Sequence, residues 1–261
     1  MKRWTLPLLA ALLFAITACI PQAARPQPPQ VQLLAFGLVS LDPFSGRAEF
    51  NVNLRLTNPN GFGLPLLDST LTAELGGVQF RMGIPAVDIP SGQSRDVQTR
   101  LSVPVADATR ALASLVGGQA TRFRLLGELN VTLLGARTTV GPATLLDRDV
   151  QISLNFSLPQ LRITAVRLDG LALVFSLQAV NSNIIGFALQ GPMRVSIGGR
   201  EVGQAGLNLN LAPGQTSQGE FRVQLTGLPG FGGVSIQTDF RALIPGIFDR
   251  PVVSVLEGAL R

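Results

Sequence analysis

Apolar and polar residues alternate with period two along most of this chain, the pattern of a strand with one face in a core and the other in water. One run, Phe50, Val52, Leu54 and Leu56, closes on Asn58-Pro59-Asn60 and is followed by Gly63 and Leu66. A second, Leu173, Phe175, Leu177 and Ala179, closes 123 positions further on at Asn181-Ser182-Asn183, followed by Gly186 and Leu189. After the loss of one residue the match continues. Leu71, Ala73, Leu75 and Gly76-Gly77 answer to Met193, Val195, Ile197 and Gly198-Gly199, and the turn Ser91-Gly92-Gln93-Ser94 answers to Pro213-Gly214-Gln215-Thr216. Such self-similarity predicts two copies of one β-rich module.

Turn residues delimit the candidate strands. In the first copy they run over 33–41, 48–57, 69–75, 94–103, 122–133 and 150–156, and in the second over 161–168, 172–180, 193–197, 219–225, 234–243 and 251–257. Short alternating segments bounded by Gly, Pro, Asn and Ser predict antiparallel β-sandwiches of the immunoglobulin or fibronectin kind, two in tandem, over residues 31–157 and 158–261. The copies differ where Ala108, Ala111, Leu112 and Leu115 fall at helical spacing between Asp107 and Gly117-Gly118. That spacing predicts one short helix on the first sandwich, capped by Asp107 and packed by its apolar stripe, with the loop 227–233 in its place in the second. Residues 170–193 carry no charge, but Gln178, Asn181, Ser182 and Asn183 stand in the middle of the segment. Unpaired amides are costly in hydrocarbon, so a strand, a turn and a further strand are expected there instead of a membrane span.

The amino terminus changes the picture from a plain sandwich protein to an exported one. Lys2 and Arg3 precede an apolar stretch from Trp4 to Ala15, and Ile16-Thr17-Ala18-Cys19 closes it. The stretch falls short of the roughly 20 residues that span a bilayer, so residues 1–18 read as a cleaved signal. The pattern resembles the lipobox of bacterial lipoproteins, which implies that Cys19, the only cysteine, is lipidated and becomes the first residue of the mature chain. The alternative is an ordinary signal peptide that happens to hold a cysteine. Residues 19–30, with Pro21, Pro26, Pro28 and Pro29, read as an extended tether. Removal of Lys2 and Arg3 leaves 19 basic against 16 acidic residues, with no arginine cluster interleaved with aromatics, so nucleic acid is not an expected partner.

The chemistry the sequence lacks is informative. It has no histidine and no tyrosine, hence neither the commonest general base nor the commonest metal ligand, and no cofactor or metal is expected. Gly61-Phe62-Gly63 opens like a dinucleotide loop, but Pro65 and Leu66 stand where a helix start and a third glycine belong. Asp147 and Asp149 flank Arg148 and read as a solvated strand end, not as a glycosidase pair. Asn130-Val131-Thr132 and Asn155-Phe156-Ser157 match a glycosylation pattern that has little meaning in a bacterial lipoprotein.

The two Asn-x-Asn segments have a direct physical use. Asparagine tolerates left-handed backbone and hydrogen-bonds amides two residues on, so it ends a strand and fixes the following turn. Asn58, Pro59, Asn60, Asn181 and Asn183 are therefore expected to be structural, with binding as the alternative. Asn58-Pro59-Asn60, then Gly63, Leu64 and Leu66, then Gly76-Gly77 and the polar turn before Val97, resemble the WHy (water stress and hypersensitive response) domain of type 2 late-embryogenesis-abundant proteins. The resemblance covers nearly all of residues 31–157. It is looser over 158–261, where Ser182 replaces the favoured proline and Ile184-Ile185 follow. It implies mostly-β sandwiches with a helix, associated with desiccation, cold or oxidative stress and with protection of other proteins. The expectation is a non-catalytic protein of the bacterial envelope, held in the membrane by lipid on Cys19. Ile20 follows Cys19 instead of aspartate, which by resemblance to lipoprotein sorting signals implies the outer membrane, facing the periplasm, where two membranes are present. Labile client proteins are the expected partners. The alternative is a structural, accessory or lipid-binding subunit of an envelope assembly.

Overall fold

The computed structural model describes residues 26–226 and 233–258. The signal sequence, Cys19 and most of the loop expected over 227–233 lie outside the described residues. The fold is mainly β, built from antiparallel sheets packed as sandwiches, with one short helix among the described residues.

In the first half, β1 (Gln30–Asp42), β2 (Arg47–Thr57) and β7 (Ser94–Pro104) form a three-stranded sheet in the order β1-β2-β7. The sheet opposite contains β3 (Leu64–Leu66), β4 (Ser69–Leu75), β5 (Val78–Ile84), β6 (Val87–Ile89), β8 (Thr121–Leu133) and β9 (Ala136–Val150). The order there is β5-β4-β8-β3-β6, with β9 along the other side of β8. Alternation on β2 places Ala48, Phe50, Val52, Leu54 and Leu56 in the core. Phe36 of β1 bridges the layers, its ring 5.0 Å from that of Phe50 and 5.1 Å from that of Phe123 on β8.

The second half repeats this order. β10 (Gln160–Asp169), β11 (Ala172–Val180) and β14 (Thr216–Gln224) lie as β10-β11-β14. β12 (Phe187–Ile197), β13 (Arg200–Leu211), β15 (Val234–Ile244) and β16 (Phe248–Gly258) lie as β13-β12-β15-β16. The halves share one continuous apolar cluster. They also share a strand-like contact, in which the Leu41 amide donates to the Ile184 carbonyl at 2.9 Å and the Gly186 amide donates to the Leu41 carbonyl at 2.7 Å.

Several expectations need correction. Residues 150–156 are not a strand beyond Val150. Ile152 is buried and Leu154 and Phe156 pack on the core, yet the segment joins no ladder, because it is the extended link to the second half. The last strand of the first half is instead β9, whose residues are mostly exposed and so carry no clean alternation. The strands β3, β5, β6 and β13 also went unread. The helix α1 (Thr109–Val116) starts one residue later than expected, and Asp107 does not cap it. Ala108 takes the cap position without a side-chain hydrogen bond, and the chain enters through a turn in which the Thr109 hydroxyl donates to the Val105 carbonyl at 3.0 Å. Its stripe of Ala111, Leu112 and Leu115 is buried against the first half.

Candidate functional site: the paired asparagine corners

Asn58 stands one residue past the end of β2, where the chain must leave the sheet and the strand partners run out. Its side chain is fully buried and replaces them. Oδ1 accepts from the Asn60 amide at 2.9 Å and from Asn60 Nδ2 at 2.8 Å. Nδ2 donates to the Phe62 carbonyl at 2.8 Å and to the Ile89 carbonyl at 3.0 Å, with the Pro90 carbonyl at 3.3 Å. One amide thus ties the end of β2 to the turn after it and to the chain leaving β6. Pro59 between the two asparagines is exposed. It presets φ for the turn and has no amide hydrogen left unpaired.

Asn181, past the end of β11, makes the same set. Oδ1 accepts from the Asn183 amide at 3.0 Å and Asn183 Nδ2 at 2.8 Å, and Nδ2 donates to the carbonyls of Ile185 at 2.8 Å, Ala212 at 3.1 Å and Leu211 at 3.3 Å. Ser182 is exposed like Pro59. The corners differ in one bond. The Asn60 carbonyl accepts from the Ser91 hydroxyl at 3.0 Å, whereas the Asn183 carbonyl accepts from the Gly214 amide at 3.0 Å, because Pro213 replaces the serine.

The second asparagine of each pair grips the chain on its way into the sandwich. Asn60 Oδ1 accepts from the Gln27 amide at 2.8 Å while its Nδ2 donates to the Gln27 carbonyl at 3.0 Å. Asn183 holds Ser157 in the same two-bond manner, at 2.7 and 2.8 Å. This clamp went unread in the sequence: Gln27 and Ser157 each lie three residues before the first strand of their half, but both are held through backbone atoms. It corrects the picture of a free spacer up to Gln30, since Gln27 is bonded to the body and Pro29 is buried.

The charged groups make exposed ion pairs across neighbouring strands. Arg55 meets Asp96 at 2.7 Å, Arg122 meets Asp147 at 2.7 Å and Arg241 meets Asp249 at 2.7 Å. In each, the guanidinium hydrogen bond holds the carboxyl below its ordinary pKa, against a smaller opposing effect of desolvation and with help from the cation's charge. Asp147 is therefore an arginine partner on β9, bridged also to Arg124 at 3.6 Å. Asn130 is engaged as well, its Nδ2 donating to the Asp68 carbonyl at 3.0 Å.

An apolar groove of about 600 Å³ opens at the asparagine end of the first half, lined by Pro26, Phe62, Pro65, Leu133 and Leu134 among others. Gly61-Phe62-Gly63 forms part of the corner, with Phe62 partly exposed over this groove and its carbonyl held by Asn58. The larger apolar side chains inside the sandwiches are packed shut, including Phe50, Phe123, Phe175, Phe187 and Phe240.

Residues 53–142 match a family model described as late embryogenesis abundant protein. The match takes in the first asparagine corner, the helix, β8 and the first part of β9. No curated protein matches the chain. Among solved structures, a glycosyl hydrolase family 2 member from Bacteroides cellulosilyticus DSM 14838 is similar at 6% identity and a TM-score of 0.27, over 85% of this chain and 30% of that one. The β-glucuronidase 2 of Bacteroides uniformis, covalently bound to cyclophellitol-6-carboxylate aziridine, is similar at 11% identity and a TM-score of 0.27, over 89% of this chain and 32% of that one. The chain thus corresponds to less than half the length of either enzyme.

Proposed function

We propose that the chain is a non-catalytic, lipid-anchored envelope protein made of two WHy-like sandwiches, one a duplicate of the other, that protects proteins or membranes during desiccation or related stress. The observation that carries this reading is the family match over residues 53–142, which includes a corner whose polar groups are consumed in holding the fold. Asn58, Asn60, Asn181 and Asn183 spend their amides on backbone, so the most distinctive residues of the chain offer no reactive group. The identical hydrogen-bond set around Asn181 supports the duplication. Protection would then come from weak contacts of the exposed strand edges and of Arg, Gln and Ser groups. It would be stoichiometric, requiring neither metal nor nucleotide.

The test is aggregation of an unrelated labile enzyme through drying or freeze-thaw with increasing amounts of the mature chain. An inert protein of similar size and charge, at equal mass, is the control. Retained activity should rise in proportion to the chain added and exceed that control; equal protection by the inert protein refutes the reading. The groove at Phe62 and Leu134 favours a second reading, a lipid-binding or accessory subunit of an envelope assembly. Lipid recovered in fixed ratio with the purified chain would put that reading first.

A further inference from the structure

We infer that the end of the first sandwich formed by Phe62, Leu133 and Leu134 rests in the lipid bilayer; this deepens the anchoring proposed above and rests on lipidation of Cys19. The β8–β9 turn is the first observation. Leu134 has φ of +50° and Gly135 +81°, left-handed at both positions, a turn that favours asparagine and glycine. A leucine there is strained, and its side chain is fully exposed. Among the described residues nothing compensates for either. Beside it the groove holds Phe62, Leu133, Pro65 and Pro26, and among the described residues no ionisable side chain lines it.

The second half shows what this end becomes when covered. Ile185, 123 positions after Phe62, is buried, and its neighbours Ile184 and Gly186 pair with the backbone of Leu41 from the first half. Gly246, in the turn that matches Leu134-Gly135, lies against Thr109 at the start of α1. On the first half the same end has no such cover among the described residues.

A second copy of the chain is poorly built to supply it. Leu41 reaches across because the β1–β2 ladder continues past the Leu38–Phe50 pair to Asp42 and Arg47. At the far end of the molecule the β10–β11 ladder stops one pair after Leu168–Leu173, the pair that matches it, so no counterpart of Leu41 projects. The bilayer is within reach. Pro26 lines the groove, and seven residue steps separate it from Cys19, a span of at most about 25 Å when fully extended. An acyl group on Cys19 would hold this end near the membrane, and an exposed leucine tip suits burial among lipid tails.

The mature chain provides a clean probe. Trp4 is the only tryptophan and lies in the signal sequence, so Leu134→Trp introduces a single reporter, as does Leu171→Trp at the opposite end, where Leu171 is also exposed. Each full-length variant is processed in a bacterial host, and the mature product is checked by mass for acylation of Cys19. It is then reconstituted in phosphatidylethanolamine–phosphatidylglycerol vesicles with and without brominated acyl chains. Emission from Leu134→Trp should shift to the blue and lose intensity on bromination, and emission from Leu171→Trp should do neither. An acylated, vesicle-bound Leu134→Trp chain with unquenched, water-like emission overturns the tip contact and leaves the anchor intact. A blue shift that grows with protein density but not with bromination puts a second copy there and overturns it too. A mature chain without acyl mass on Cys19 overturns both.

Discussion

Replacing Asn58 tests whether the corner is structural, and the structure sets the size of the effect. Alanine removes the donor to the Phe62 and Ile89 carbonyls and the acceptor for the Asn60 amide, bonds of 2.8 to 3.0 Å around a fully buried side chain. Three backbone groups lose their partner where water does not readily replace it. At about 1 kcal/mol net for each bond, Asn58→Ala should lose about 3 kcal/mol. For a folded body of this size that corresponds to a fall of about 6–12 °C in melting temperature. Asn58→Asp sharpens the test, because it keeps the shape and the acceptor oxygen but aims a carboxylate at the carbonyls that Nδ2 now serves. At neutral pH it should be less stable than alanine. Burial against carbonyls raises the folded-state pKa of the new acid above its unfolded value of about 3.9. Its neutral form can donate a hydrogen bond, so relative stability is best below that unfolded value and is lost as pH rises through the raised folded one. Thermal and urea denaturation followed by circular dichroism from pH 4 to 8 reads both effects. A wild-type midpoint for Asn58→Ala, or an Asp variant that matches alanine at every pH, would refute the reasoning.

Further outcomes follow from other parts of the molecule. Cys19→Ser, once processed, should move from the membrane to the soluble fraction, since the proposed anchor of two or three acyl chains supplies the attachment; processed protein that stays membrane-bound contradicts the anchor. The carboxyls of Asp96, Asp147 and Asp249 are held below their ordinary value by arginine, so their contribution is present above the unfolded pKa of about 3.9 and lost as pH falls through the lower folded values. With no histidine to titrate, the melting temperature should be level from about pH 8 to 5 and fall only in acid below that range, which scanning calorimetry would measure. Gly191 has φ of +149°, and an added Cβ would meet the Asp239 backbone oxygen on the neighbouring strand β15. Gly191→Ala should therefore lose about 2 kcal/mol or more, and an unchanged urea midpoint would argue against that close approach.

How much of this was legible in the sequence depends on what alternation reports. It reports burial on one face. Over β2, β4 and β11, central strands with one wet face or two buried ones, the reading met the structure closely, and residues 69–75 and 172–180 coincide with β4 and β11. Over 150–156 the same period misled, because Ile152 is buried and Leu154 and Phe156 are partly buried against the core without belonging to a ladder. Phe156 finds its partners in the rings of Phe187 and Phe248, at 5.4 and 4.7 Å, from the other half of the chain. Edge strands failed in the opposite sense. β9 pairs along its length with β8 but exposes most of its residues, so its side chains carry no sign of its hydrogen bonds. The first asparagine of each corner could be reasoned from its position after a strand. The second could not be given its partner, because Gln27 and Ser157 bond through backbone, which leaves no mark on residue type.

The clamp on Gln27 also decides how the molecule would carry a load. A pull on the amino-terminal segment reaches the body first at Asn60, through two parallel hydrogen bonds, before it reaches β1. Beyond the clamp, β1 hangs on β2 by an antiparallel ladder running from Gln30–Thr57 to Asp42–Arg47. Traction along the strand axis loads that ladder in shear, so its bonds resist together instead of peeling one at a time. Under the anchoring proposed above, tension between membrane and body would act along this line. The corner then places a two-bond fuse ahead of the sheet: opening the Asn60–Gln27 pair breaks none of the bonds of the β1–β2 ladder.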